Sequence, residues 1–253
     1  MREEGALKLI GRVAVPLVLY GLLAMMYPTL MGAVSGGRLL RPEAGMWLLT
    51  AGNLMMLPVF WLLYRRERKQ KGGQPFRIRD LILLIFGTVC ISRGVNDFLA
   101  LTFLPRLFPG YERLTEEILA GSLFSQLAAG VLSAPLLEEV LMRGVIYGRL
   151  REEIKNPRTA MLFSALIFGL FHGNVVQGIY AFVLGLFFAL LFEVYDSLLP
   201  AILAHMAANL TSIVAAGTEK IFFLHRNLGL YCLMTAGFML AGMVVFRYFW
   251  RRL

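Results

Sequence analysis

The stretch Ser133-Ala-Pro-Leu-Leu-Glu-Glu-Val-Leu-Met-Arg-Gly144 places two adjacent carboxylates inside a long apolar run. Charged side chains at membrane depth are costly, so an ionisable residue there predicts a functional site. Two further polar groups lie in apolar runs downstream, namely His172, and His205 together with Asn209. The recurrence of such groups in three separate runs predicts one buried hydrolytic site.

The composition is that of a membrane protein. Of the 253 residues, 58% are hydrophobic, and the mean hydropathy is +0.69, whereas soluble domains are about 45–50% apolar. Apolar runs long enough to cross a bilayer recur along the chain, and the polar stretches between them are short. The sequence therefore predicts an all-α, polytopic helical bundle that forms a single integral membrane domain over residues 1–253.

About eight transmembrane helices are predicted from the apolar runs. They cover residues 7–33, 46–64, 81–104, 117–142, 159–173, 175–195, 198–216 and 228–249. The fifth is short for a full crossing and is expected to end inside the protein, at Gly173-Asn174. Glycines at 169, 178 and 185 predict close helix packing.

Basic residues cluster at the ends of the apolar runs and give the chain a net charge of +9. The main clusters lie at residues 65–79 and 149–158 and at the C-terminus, with further basic residues near the N-terminus. Eight alternating spans place all of them on one side, which the positive-inside rule assigns to the cytoplasm. We therefore expect a multi-pass protein of the cell membrane with both termini cytoplasmic, and attribute the charge to topology, not to nucleic-acid binding.

The carboxylate pair is expected to divide its roles. Glu139 and Arg143 are four residues apart, so they share a helix face and can pair. That pairing leaves Glu138 as the free carboxylate, which suits a general base. The alternative is a charge cluster at a helix end whose side chains extend to the membrane interface.

The histidines predict the remaining groups of the site. His205 and Asn209 share a helix face and can both donate hydrogen bonds, so together they could stabilise an oxyanion. His172 follows Phe168 by one turn on the same face. The alternative for each is a hydrogen bond that joins two helices in the membrane. His225 lies in a polar loop and is expected to have no catalytic role.

Other features exclude several classes of protein. Cys90 and Cys232 both lie in apolar runs, so no disulfide framework or Cys-x-x-Cys metal site is implied. The sequence contains no His-Glu-x-x-His motif and no Gly-rich phosphate loop. Arg93 and Asp97 are expected to form an ion pair within one helix. A further alternative is a transporter or channel with Glu138, Arg93 and Asp97 lining a path, but that class often shows inverted repeats with matching broken spans, and the sequence shows none.

Three motifs, in this order, resemble those of the CPBP family, the CAAX proteases and bacteriocin-processing enzymes, also called the Abi family. The motifs are Glu138-Glu139-x-x-x-Arg143, Phe168-x-x-x-His172 and His205-x-x-x-Asn209. The resemblance covers a motif-bearing core at about residues 115–215 and implies a catalytic role for Glu138, His172, His205 and Asn209. Within it, Glu138 and His172 activate water, His205 and Asn209 stabilise the oxyanion, and the supporting residues are Glu139, Arg143 and Phe168.

The resulting prediction is an intramembrane endopeptidase that acts on a peptide or protein substrate at the lipid bilayer. Its site is expected to open toward the cytoplasm, because the glutamate pair lies nearer that end of its predicted span. The alternative is a non-catalytic protein of the same fold, such as a bacteriocin-immunity factor or a membrane scaffold.

The family name metalloprotease raises the possibility of a zinc ion. Catalytic zinc usually takes three protein ligands, and the candidates here are Glu138, His172 and His205. Ligation would remove Glu138 as a base or His205 as a donor. We therefore favour a glutamate-activated water without metal, since that mechanism gives every residue one role.

Overall fold

The computed structural model describes residues 2–35, 41–69, 72–108, 110, 116, 120–222 and 227–253, and these are helical, without a strand. The helices are α1 (Arg2–Ser35), α2 (Pro42–Glu67), α3 (Ile78–Leu101), the short α4 (Leu104–Leu107), α5 (123–153), α6 (Pro157–Phe171), α7 (Val175–Tyr195), α8 (Leu198–Phe222) and α9 (Leu228–Trp250). The predicted all-α class is confirmed.

Five of the described helices are long and apolar enough to cross a membrane, and this makes the chain a multi-pass membrane protein. These spans lie in α1, α2, α7, α8 and α9, and α6 is a shorter apolar helix. Each of the eight predicted segments contains a helix, but the full count of eight crossings stays a prediction. The predicted third span is wrong at its end, because α3 stops at Leu101 and a turn follows.

Helix α5 alternates between α-helical and π-helical turns. Its π-helical segments are Leu127–Ser133 and Val140–Tyr147, and the α-helical segment Ala134–Glu139 lies between them. Pro135 lacks an N–H, and in an α-helix its ring clashes with the carbonyl four residues earlier. The wider turns before Pro135 relieve that clash, and π-helical insertions of this kind are frequent at functional sites.

Helix α5 extends beyond the predicted fourth span. That span was predicted to end at residue 142, whereas α5 continues to Glu153. Glu138 lies midway along 123–153. The side of the membrane toward which the site opens stays a prediction.

Helices α6 and α7 form a tightly packed antiparallel pair. A Cβ placed on Gly169 would lie 2.7 Å from the carbonyl oxygen of Gly178, and one on Gly178 would lie 2.9 Å from that of Gly169. Because neither glycine has a side chain, the backbones of α6 and α7 come into contact at these two residues, as the glycines predicted.

Ion pairs join the basic segments at one end of the bundle. Arg12 of α1 contacts Glu152 of α5 at 2.7 Å, and Lys69 contacts the same carboxylate at 3.2 Å. Near the C-terminus, Arg252 pairs with Asp80 at 2.9 Å. The predicted grouping of the basic clusters at one end is confirmed, and the side of the membrane on which they lie stays a prediction.

Candidate active site

A buried ion pair lies at the centre of the site. Glu139 and Arg143 are both fully buried, and Arg143 Nη1 lies 2.9 Å from Glu139 Oε1, as their spacing predicted. Arg143 Nη2 donates to the carbonyl oxygen of Gly185 at 3.1 Å. The guanidinium also packs over the rings of Phe168 and Phe188, at 4.4 and 5.3 Å from their centroids. The arginine is thus fixed by α5, α6 and α7 together.

His205 lies against both carboxylates. Its Nδ1 is 2.8 Å from Glu139 Oε1, and its Nε2 is 3.8 Å from Glu138 Oε2. The ring stacks on Phe188 with centroids 4.9 Å apart. An ionised carboxylate only accepts hydrogen bonds, so Nδ1 carries the hydrogen in this contact. The free nitrogen, Nε2, therefore faces Glu138.

Glu138 has fewer partners than its neighbour. Its side chain is 19% exposed, whereas that of Glu139 is fully buried. Oε2 of both glutamates is a buried oxygen without a hydrogen-bond partner in the part of the chain that the structure describes, but Glu139 uses its other oxygen for Arg143 and His205. Buried polar atoms are normally paired, so an unpaired carboxylate oxygen beside an imidazole has capacity for a water molecule or a substrate.

His172 ends α6 at the edge of the site. Its Nδ1 lies 2.7 Å from the carbonyl oxygen of Phe168, and its ring contacts the Phe168 ring edge-on at 4.8 Å. Since a carbonyl accepts, Nδ1 donates and Nε2 is left as an acceptor. Across the described residues, His172 is not within ion-pair distance of Glu138. The histidine that the fold brings next to Glu138 is His205.

Asn209 lies one turn beyond His205 on α8. Its Nδ2 donates to the carbonyl oxygen of Gly130 at 2.7 Å. Gly130 belongs to the first π-helical segment of α5. One of the two amide hydrogens is therefore used to join α8 to α5, and the second remains for a further acceptor.

Several residues of the site were missed by the sequence analysis as functional groups. Phe188 lies in a continuous apolar run of α7, so no pattern distinguishes it from core packing. Gly185 gave a packing signal, and a Cβ there would lie 3.0 Å from Phe168 Cδ1 and 3.2 Å from Arg143 Nη2. Tyr20 of α1 contacts Phe171 at 4.8 Å, beside His172, and is within electrostatic reach of Glu138.

Protein contacts occupy part of the possible donor set for a zinc ion. Glu139 Oε1 is already shared by Arg143 and His205, and His172 Nδ1 is taken by a carbonyl. In the described ranges, no three side chains of His, Cys, Asp or Glu converge on one point where an ion would bind. No step of the reaction is therefore derived through a metal.

Other predicted polar groups lie away from this centre. Arg93 and Asp97 form the expected ion pair within α3, with Arg93 Nη2 2.8 Å from Asp97 Oδ1. Tyr231 of α9 donates to the same carboxylate at 3.1 Å. His225 lies outside the described residues.

The comparison with protein families agrees with the motifs. The model of the type II CAAX prenyl endopeptidase Rce1-like family matches residues 120–211. The match supports the CAAX protease and bacteriocin-processing family that the three motifs resemble. The match spans α5, α6, α7 and most of α8, which together carry every site residue above except Tyr20, and it leaves α1, α2, α3, α4 and α9 outside. No curated protein and no solved structure matched the chain.

Proposed function

We propose that this CAAX-protease-type protein is an intramembrane endopeptidase in which Glu138 activates the attacking water. One observation supports it above the others. Glu138 Oε2 is buried and unpaired, and it faces His205 Nε2 at 3.8 Å while Glu139 holds Nδ1 of the same ring. A base, an oriented imidazole and a second carboxylate are thus held within one buried cluster.

The chemical steps follow from these positions. Glu138 takes a proton from water as the water oxygen attacks the peptide carbonyl carbon. The carbonyl oxygen becomes the oxyanion of a tetrahedral intermediate, which donors from His205 and Asn209 stabilise. As the C–N bond breaks, Glu138 returns its proton to the leaving amine. His172, with Nε2 left as an acceptor, orients the water.

The oxyanion role sets the protonation state of His205. Because Nδ1–H points to Glu139, a neutral ring has no hydrogen on Nε2 and can only accept there. Donation to an oxyanion from Nε2 therefore requires the imidazolium.

The substrate class is inferred from the family. The matching family is described as acting on prenylated CAAX sequences, and a prenyl chain places a C-terminal cysteine at the membrane. A buried site between α5 and α8 of a multi-pass membrane protein suits a substrate that is already anchored in the bilayer. We propose a lipid-anchored or membrane-embedded peptide as the substrate and the bilayer as its environment.

Purified protein in proteoliposomes tests the proposal with a farnesylated peptide that ends in Cys-aliphatic-aliphatic-X. We expect release of the C-terminal tripeptide by the wild type and none by E138Q. Peptidomics of membranes from cells that carry either form extends the test to other substrates. A wild type that cleaves neither the farnesylated peptide nor any membrane peptide, although folded, would favour the non-catalytic alternative.

A further inference from the structure

A cluster of hydroxyl groups joins α3, α7 and α8, with Ser92 buried and Tyr180 and Ser212 half-buried. The Tyr180 hydroxyl lies 2.7 Å from Ser92 Oγ and 3.1 Å from Ser212 Oγ. Ser92 Oγ also lies 3.4 Å from the carbonyl oxygen of Ala208. Tyr180 on α7 thus bridges a serine of α3 and a serine of α8.

Ser212 of this cluster lies on the same face of α8 as the active-site residues. His205, Asn209 and Ser212 are spaced i, i+4 and i+7, which places them on one face of a helix. Ala208, whose carbonyl contacts Ser92, immediately precedes Asn209. The hydroxyl cluster therefore holds α8 within one turn of Asn209.

Hydroxyl groups are costly at such a place. Ser92 is fully buried, and a hydroxyl moved into apolar surroundings needs a partner to offset its desolvation. Phenylalanine and alanine would fill the same space without that requirement. An arrangement that pairs all three hydroxyls specifies one rotation and one height of α8, because apolar packing alone tolerates small shifts.

We infer that Tyr180 is a positioning residue for Asn209 and His205, an inference that rests on the proposed function. The two donors contact α5 through Asn209 Nδ2 to the Gly130 carbonyl at 2.7 Å and through His205 Nδ1 to Glu139 at 2.8 Å. A shift of α8 changes both contacts together. A misplacement of about 1 Å can cost about a hundredfold in rate.

Kinetics with the farnesylated peptide test this inference through Y180F, which removes the hydroxyl and keeps the ring. We expect kcat to fall roughly tenfold or more with KM little changed, since transition-state contacts are displaced and substrate contacts are not. The matched control is Y248F, which removes the Tyr248 hydroxyl that contacts Asp80 at 3.3 Å, between α9 and α3. Y248F should keep the wild-type kcat.

Variants of Ser212 separate positioning from general packing. S212A should lower kcat as Y180F does, and S212T, which keeps a hydroxyl, should restore most of it. The Y180F/S212A double variant should be no slower than either single variant, because all three lose the same bridge. Losses that add fully, or a Y180F kcat within about twofold of the wild type, would overturn the inference.

A cross-linking measurement tests the position of α8 without any activity. Cysteines at 130 and 209, in a C232S background, report the approach of α8 to α5, and a Cβ at Gly130 meets Ile213 Cδ1 at a comfortable 3.8 Å. We expect oxidation to form this disulfide several-fold more slowly when Y180F is added, since the bond tolerates only a narrow range of geometry. An unchanged rate would contradict the inference.

The two proposals fail in different ways. If E138Q cleaves the peptide as fast as the wild type, the proposed function is wrong, and the cross-linking rate still decides whether Tyr180 positions α8. If E138Q is inactive while Y180F keeps both full kcat and the full cross-linking rate, the inference about Tyr180 alone is wrong.

Discussion

Glu138 and Glu139 are adjacent and chemically identical, yet the fold gives them different surroundings. Glu139 is fully buried and bound to Arg143 and His205. Glu138 keeps a partly exposed side chain and an oxygen without a hydrogen-bond partner in the described part of the chain. The difference follows from the helix, because successive side chains are about 100° apart and point to neighbouring faces. One carboxylate is therefore structural and the other is available for chemistry.

Replacement of Glu138 should remove activity and leave the fold intact. We expect E138Q to lower the cleavage rate by a factor of at least about 10² to 10⁴, the usual contribution of a general base. Its thermal stability in detergent should match the wild type, since no ion pair closer than 3.8 Å is lost. An active E138Q together with a folded but inactive E139Q would reverse the two assignments.

Replacement of Glu139 should mainly lower the stability of the folded protein. E139Q leaves the fully buried Arg143 without its carboxylate, and breaking one partner out of a buried pair costs about 3–5 kcal/mol. We expect a clear fall in melting temperature, and a lower rate because His205 Nδ1 loses the acceptor that fixes its tautomer. Thermal unfolding of E139Q and E138Q under the same conditions compares their melting temperatures. Equal stability of the two variants would contradict the structural role.

At the scale of the helices, close packing of α7 against α5 and α6 places the arginine. A Cβ on Gly185 would meet Phe168 Cδ1 at 3.0 Å, Arg143 Nη2 at 3.2 Å and Ala165 Cα at 3.4 Å. The carbonyl of the same residue accepts from Arg143. Only a glycine therefore lets α7 come close enough for its backbone to bind the guanidinium.

Substitution of Gly185 by alanine should displace this arrangement. We expect G185A to lower both the melting temperature and the cleavage rate, with a stability loss of about 1–3 kcal/mol, as for other overpacked sites. The matched control is G237A on α9, where no atom lies within 4 Å of an added Cβ. Alanine has the better helix propensity, so G237A should be neutral or slightly stabilising. A G185A variant with the wild-type melting temperature and cleavage rate would show that α7 can move away from α5 and α6, and it would contradict this expectation.

Sequence patterns predicted where the helices lie, but they did not predict the hydrogen bonding inside the helices. Apolar length located all eight segments, because burial in lipid requires long apolar helices. The π-helical turns of α5 were not predicted, since a shift in hydrogen bonding leaves hydropathy unchanged; Pro135 was their only local signal. A buried contact between Asn53 Nδ2 and Ser133 Oγ, at 3.2 Å, was also missed.

The same limit applies to the site. The pairing of Glu139 with Arg143 followed from helix spacing, because both residues lie on one element. The contacts of His205 with two carboxylates depend on how α8 is placed against α5, which spacing within either helix does not define. Phe188 was hidden because α7 is apolar on every face. Contacts within one helix were thus predictable, and contacts between helices were largely not.

At the scale of the whole molecule, charged contacts bring distant segments to one end of the bundle. Arg12, Lys69 and Glu152 join α1, the end of α2 and the end of α5. Arg252 and Asp80 join the C-terminus to the start of α3. Positive charge concentrated at one end favours retention of that end in the cytoplasm.

Cysteine labelling tests this orientation in a C232S background, since Cys90 is buried and Cys232 is exposed. We expect a cysteine at position 69 to react with a membrane-impermeant maleimide only after the cells are permeabilised. A cysteine at position 110, beyond the other end of α3, should react in intact cells. The opposite labelling pattern would reverse the orientation and would place both termini outside.

The assembled molecule also makes a prediction about metal dependence. Within the cluster, Glu139 Oε1, His205 Nδ1 and His172 Nδ1 have protein partners, and no three possible ligands converge on one point among the described residues. We expect the purified protein to hold no stoichiometric zinc and to keep its cleavage rate after dialysis against a chelator. E138Q measured in parallel shows that the retained activity comes from this site. Stoichiometric zinc, with activity lost on removal and restored when zinc is added back, would overturn the glutamate-only mechanism, and His205 would then bind the ion through Nε2 while Nδ1–H stays on Glu139.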